Sequence, residues 1–238
     1  MASATGIPDQ SLANEQEPLL GRPGDVSQGT QPIYNNLIIG TGVVAQAGIW
    51  ILVAIVWAAI FSHELILFSA HPLLNSAGLL LIAQGALILQ PTHTPEQKKT
   101  GTYIHAALND VGLAALLSGL VIIEVNKVKN GLPHFESPHA ILGFVTYILL
   151  IVQALVGFTQ YFVPQLYGGV DNAKKVWKYH RASGYVVFTL GLATVSAATQ
   201  TFYNQKVLDI KLWAVLVASI ITLAGIIPRI KKQKLGFS

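Results

Sequence analysis

An all-α integral membrane bundle of six helices is the fold class this chain predicts, and three observations carry that expectation. Charged residues make up 11% of the chain against 52% hydrophobic, whereas soluble domains carry about a quarter charged. Mean hydropathy is +0.53. Long stretches, residues 35–61 first among them, hold no formal charge, and about 20 apolar residues suffice to cross a bilayer core. A transmembrane β-barrel would instead show alternating segments of about ten residues, and none occur.

The elements follow in order. Residues 1–35 predict a disordered cytosolic tail rich in Ser, Gln, Gly and Pro. No basic stretch precedes a short apolar run, so no cleaved signal peptide is expected and the first apolar run serves as an uncleaved anchor. The predicted spans are residues 36–61, 71–90, 103–125, 139–163, 179–202 and 212–227, within a membrane domain of residues 36–228. Pro91, Pro95, Pro133, Pro138, Pro164, Gly168 and Gly169 punctuate the short loops. Residues 229–238 predict a basic cytosolic tail. The absence of cysteine excludes disulfides, zinc–thiolate sites, iron–sulfur clusters and covalently attached c-type haem. No basic surface suited to nucleic acid is visible.

Orientation comes from the cations. One side holds Arg22, Lys98, Lys99, Lys174, Lys175, Lys178, Arg181, Arg229, Lys231, Lys232 and Lys234, and the other only Lys127, Lys129, Lys206 and Lys211. The positive-inside rule puts the first side, with both termini, in the cytosol.

Four of the seven histidines fall near the starts of predicted spans: His71, His105, His139 and His180, spaced by 34, 34 and 41 residues. Consecutive spans run in opposite directions, so His71 and His139 share the non-cytosolic level and His105 and His180 the cytosolic one. Two imidazoles at one depth on different helices suit a b-type haem held at both axial positions, a saturated iron that favours electron transfer. The expected cofactors are therefore two haem b, on the order of 20 Å apart across a core of about 30 Å. Placed at helix N-termini, the four ligands would also present backbone N–H groups to anionic propionates. The bland alternative for each histidine alone is an interfacial residue bonded to loop carbonyls or headgroups; four in two matched layers argue against it.

A repeat supports the pairing. HPLLNSAGLLLIAQG from His71 and HAALNDVGLAALLSG from His105 share H-x-x-L-N-x-x-G-L-x-x-x-x-x-G. HAILGF from His139 and HRASGY from His180 share H-x-x-x-G-aromatic. The halves thus relate as an inverted repeat with one site each. The glycines seven and fourteen residues after His either let a flat macrocycle approach the backbone or serve as helix contacts. Asn75 and Asn109, one turn on, either bond a propionate, orient the imidazole, or link helices.

Six spans with one histidine at the start of each central helix resemble the eukaryotic cytochrome b561 family of transmembrane reductases. The resemblance covers roughly residues 36–227, and the histidine spacing is its most specific part. It implies electron transfer from cytosolic ascorbate through the inner haem, ligated by His105 and His180, to the outer, ligated by His71 and His139. A non-cytosolic acceptor, monodehydroascorbate or a ferric chelate, would take the electron. It also implies a cytosolic substrate site of Lys and Arg, here Lys98, Lys99, Lys174, Lys175, Lys178 and Arg181, and a homodimer. The ALLVYR-type and SLHSW-type stretches of well-studied members correspond here to LILQPTH and ESPHAIL, the mark of a divergent branch closer to the minimal cytochrome b561 domain proteins.

His63 and His134, near Glu64 and Glu136, fall on the far side, where such residues either guide a chelate or are solvated loop positions. His93 reads as loop. Asp110, inside the third span and off the face of His105, is either a proton-coupling group or an interhelical polar group. The string Glu15-Gln16-Glu17-Pro18-Leu19-Leu20 resembles acidic dileucine sorting signals and tilts localisation towards vacuole, lysosome or another endomembrane. The competing functional class is a proton- or metal-linked transporter using the same histidines; pH-dependent flux by colourless protein would favour it.

Overall fold

The computed structural model describes residues 32–92, 94–231 and 235. The dileucine string, Arg22, His93, Lys232 and Lys234 lie outside the described residues. Six helices form the bundle: α1 Gly42–Phe61, α2 Ala70–Leu89, α3 Pro95–Asn130, α4 Pro138–Phe162, α5 Val170–Ala198 and α6 Leu212–Ile226. No strand occurs among the described residues. Five segments, α5 not among them, are long and apolar enough to cross a membrane by length and composition. In α5 the cations crowd the first half, and residues 182–198 carry no charge.

Two helices outrun the spans expected from hydropathy. α3 has 36 residues, about 54 Å at 1.5 Å per residue against a core of about 30 Å. It begins at a capping box: Thr94 Oγ1 accepts from the Gln97 N–H at 3.2 Å, with Pro95 opening the first turn. It ends at Gly131, whose φ of 60° lets the Leu132 N–H return to the Lys127 carbonyl at 2.9 Å. α5 starts at Val170 rather than residue 179, just after the left-handed turn at Gly168 and Gly169. Charged residues at both helices' ends hide them from a search for apolar runs, although nothing stops a solvated helix there. Pro95 and Pro138 thus start helices; they do not break them.

The bundle packs as antiparallel pairs, α2 with α3, α4 with α5, and α1 with α6. Small residues permit the crossings. A Cβ on Gly225 would run into the Ala45 backbone, and one on Gly48 would stand 2.7 Å from the Ala218 carbonyl. The core gathers Ala45, Ile49 and Leu52 from α1, Leu79, Ala83 and Leu87 from α2, and Phe188 and Leu192 from α5.

The membrane unit starts earlier and ends later than expected. Ile33–Leu37 forms a 3-10 turn that buries Asn36, whose side-chain amide donates to the Ile88 carbonyl at 2.7 Å. At the other end Arg229 is no tail residue. Its Nη2 donates to the carbonyls of Asn36 at 2.6 Å and Leu87 at 3.0 Å, clasping the first turn and the end of α2 to the end of α6. A long basic side chain next to three helix ends finds carbonyls left over from those helices.

Candidate functional site

α2 and α3 cross on an evenly spaced ladder that the repeat encodes. At its centre Gly78 faces Gly112: a Cβ on Gly78 would lie 2.7 Å from the Gly112 carbonyl oxygen, and one on Gly112 3.0 Å from that of Gly78. Seven residues out in each direction the contacts are reciprocal. His71 Nδ1 donates to the Gly119 carbonyl at 2.9 Å, and His105 Nδ1 donates to the Gly85 carbonyl at 2.9 Å. Asn75 Nδ2 donates to the His71 carbonyl at 2.8 Å, and Asn109 Nδ2 to the His105 carbonyl at 2.7 Å. A Cβ on Gly119 would collide with the Asn75 amide, and one on Gly85 with the Asn109 amide. The motif's glycines therefore make room for the partner helix and its asparagine. The outer rungs are 14 residues apart, about 21 Å along the axis.

α4 and α5 supply the second histidine of each pair. His139 faces His71 with ring centres 6.1 Å apart and ring planes at 82°. His180 faces His105 at 6.5 Å and 87°. These are the pairs that span polarity assigns. Two imidazoles on opposite sides of one metal ion, with bonds of about 2.0–2.1 Å and ring centres about 1.1 Å behind the nitrogen, would stand about 6.3 Å apart. Both separations fit. A carbonyl only accepts, so Nδ1 of His71, His105 and His139, the last 3.0 Å from the Thr194 carbonyl, must carry the proton. Nε2 is then the unprotonated nitrogen, and no hydrogen bond reaches it among the described residues. Such backbone anchoring of Nδ1 fixes tautomer and ring plane in the way metal-bound imidazoles require. Among the described residues no third metal-ligating side chain joins either pair. A catalytic zinc needs three protein ligands, whereas two opposed imidazoles complete the axial positions of a haem.

Only two of the four histidines stand at helix N-termini. His71 and His139 are the second residues of α2 and α4, while His105 and His180 lie ten residues into α3 and α5. The N-terminal N–H groups of α3 and α5 are thus about 15 Å from those histidines, and the helix-dipole argument for propionates fails at that pair.

The cations expected at the cytosolic end divide between two helices. Lys98 and Lys99 occupy the first turns of α3, Lys174, Lys175 and Lys178 the first three turns of α5, and Arg181 the fourth. Lys98 and Lys99 precede His105, Lys174, Lys175 and Lys178 precede His180, and Arg181 directly follows His180 at the same end of the bundle. Lys175 donates to Asn172 Oδ1 at 2.9 Å, Lys174 is 3.9 Å from the Asp171 carboxylate, and Lys178 lies 5.0 Å over the Tyr179 ring. At the opposite end His134 pairs with Glu124 on α3 at 3.0 Å, not with Glu136. His63 Nδ1 contacts the Ala59 carbonyl at 2.8 Å. Asp110 is exposed on the outer face of α3.

Sequence reasoning missed Tyr147, whose hydroxyl donates to Asn75 Oδ1, and Gln153, which bonds Ser183 Oγ at 2.6 Å beside His180. Nothing in the composition of α4 signals either. The acceptor carbonyls of Gly85 and Gly119 were partly legible, because the motif ends on those glycines.

A family model described as eukaryotic cytochrome b561 matches residues 70–205, a stretch that takes in all four histidines and their helices. The maize ascorbate-specific transmembrane electron transporter 2 is 27% identical over 167 residues, 65% of this chain and 70% of its own length. The human transmembrane ascorbate-dependent reductase is 30% identical over 158 residues, 66% of this chain and 61% of its own. The sheep reductase of the same name is 27% identical over 169 residues, 70% of this chain and 65% of its own. The chain therefore spans 61–70% of the length of these relatives. Two opposed imidazole pairs on an inverted helix ladder and a family match over more than half the residues lead to one assignment: the chain belongs to the eukaryotic cytochrome b561 family.

Proposed function

We propose that this chain is a transmembrane oxidoreductase that carries electrons from ascorbate on the cytosolic side to monodehydroascorbate or a ferric chelate on the other. The single observation that carries the reading is the pair of imidazole clusters, 6.1 and 6.5 Å between ring centres, in two layers of one bundle. The residues fit two haem b, with His71 and His139 holding one and His105 and His180 the other. When bound, such a group supplies a one-electron couple at an iron saturated by nitrogen.

The protein's own residues do the rest. Gly119, Gly85 and Thr194 carbonyls hold three imidazoles by Nδ1 and leave Nε2 as the nitrogen available for ligation. Asn75 and Asn109 close the backbone behind their histidines. The layers stand about 21 Å apart along the α2–α3 ladder, and Leu116 on α3, Tyr147 on α4 and Val187 and Leu192 on α5 are buried, which keeps water out of the interior. Lys98, Lys99, Lys174, Lys175, Lys178 and Arg181 draw an anionic reductant to the cytosolic end. The names of the maize and human relatives support ascorbate as that reductant. Cation counts put both termini in the cytosol, and the dileucine string supports an endomembrane location. Residues 36–228, with the turn from Ile33 and the Arg229 clasp added to them, form the membrane domain, the remaining N- and C-terminal residues its cytosolic flanks, and two copies assemble as in the family.

The test is vectorial reduction. Vesicles carrying the protein, loaded with ascorbate and bathed in ferric citrate, should produce external ferrous iron. His71→Ala and His105→Ala should each abolish it. Reduction that survives in either variant, or none with wild-type protein that holds two haems, refutes the proposal.

A further inference from the structure

The two imidazole pairs are related by the repeat, yet their surroundings differ in one hydrogen-bonded chain. Tyr147, buried in α4 eight residues after His139, donates its hydroxyl to Asn75 Oδ1. With that oxygen engaged, the Asn75 amide cannot flip, and its Nδ2 is fixed towards His71. It donates to the His71 carbonyl at 2.8 Å and stands 3.2 Å from His71 Nδ1. The position eight residues after His180 is Phe188, which packs into the apolar core. No donor reaches Asn109 Oδ1 among the described residues. The asymmetry extends to the second ligands: His139 Nδ1 donates to the Thr194 carbonyl at 3.0 Å, whereas His180 Nδ1 is buried with no partner among the described residues.

We infer that Tyr147 is a positioning residue for one haem site only: through Asn75 it fixes the His71 imidazole, and the His105–His180 site has no counterpart. This rests on the two-haem reading. The Nδ1 hydrogen bond governs how strongly an imidazole donates to its metal. A loosened Asn75 should weaken the His71 Nδ1–Gly119 anchor, make the ligand a poorer donor and so raise that iron's midpoint potential. The other iron should not respond, because its own asparagine never depended on a tyrosine.

Tyr147→Phe tests this, since it removes one oxygen and keeps the ring in place. Purified full-length protein would be titrated potentiometrically, and the low-spin ferric signals recorded by electron paramagnetic resonance. His71→Ala and His105→Ala serve to assign the two signals. Expected are two haems per chain, an upward midpoint shift and altered resonance for the His71–His139 haem alone, and an unchanged second haem. Asn75→Ala should reproduce the selective change. Two unchanged haems, or equal changes in both, overturn the inference. Wild-type protein without haem would instead refute the underlying functional reading, so the two failures are distinguishable.

Discussion

Gly78→Ala places one methyl group at the centre of the α2–α3 ladder. The new Cβ would stand 2.7 Å from the Gly112 carbonyl oxygen and 2.6 Å from Leu116 Cγ, where ordinary contact begins at 3.4 Å. Leu116 has rotamers to yield with, but the carbonyl is backbone in the middle of a helix. The helices must therefore part by about 0.7 Å at the crossing. Overpacking of this kind costs about 1–3 kcal/mol. The histidine anchors at Gly119 and Gly85 lie seven residues to either side, about 10 Å away, and both bonds are already 2.9 Å long. A separation of this size stretches both towards the limit of a useful hydrogen bond. Thermal unfolding by circular dichroism in detergent, with haem counted per chain, should show a lower midpoint and both haem signals disturbed to a similar degree. A Gly78→Ala protein with wild-type melting and two unaltered haems would refute the ladder argument. Disturbance of both sites here, against one site in Tyr147→Phe, separates the centre of the ladder from its ends.

Three further outcomes follow from the same geometry. Arg229→Met should lose about 2–3 kcal/mol of stability, because two charge-assisted bonds go and buried carbonyls of Asn36 and Leu87 lose their donor; an unchanged melting curve would show that the clasp holds nothing. Thr94→Ala removes the cap that starts α3 and should cost about 1 kcal/mol, seen as faster amide exchange confined to the turn that carries Lys98 and Lys99. Replacing Lys98, Lys99, Lys175 and Lys178 by Gln should raise the KM for ascorbate, up to about fivefold per charge, and leave haem content intact. That effect should fade as salt shortens the screening length to a few ångströms; a KM indifferent to both charge and salt would remove these residues from the substrate path.

Much of the site was legible because it is written in side chains at fixed spacing. The polarity of alternating spans assigns His71 to His139 and His105 to His180, and the structure brings those rings together. The H–N–G–G repeat records a helix crossing, since each glycine answers a group on the partner helix. What stayed hidden has physical reasons too. The acceptors for the imidazoles are backbone carbonyls, and that of Thr194 carries no residue signature. Tyr147 reaches Asn75 across helices with no local pattern to announce it. Arg229 looked like a basic tail because positive charge at a cytosolic end has a general explanation that masks a specific one. The full lengths of α3 and α5 were missed because hydropathy measures the bilayer, while caps such as Thr94 and Gly131 measure the helix.

The most direct test of the central claim is the reduced-minus-oxidised visible spectrum of purified wild-type protein, with haem counted per chain, run beside His71→Ala and His105→Ala. The account predicts two low-spin b-type haems per chain in the wild type and the loss of a different one in each variant. Folded protein that stays colourless after expression with ample haem, or variants that lose the same haem, would contradict it.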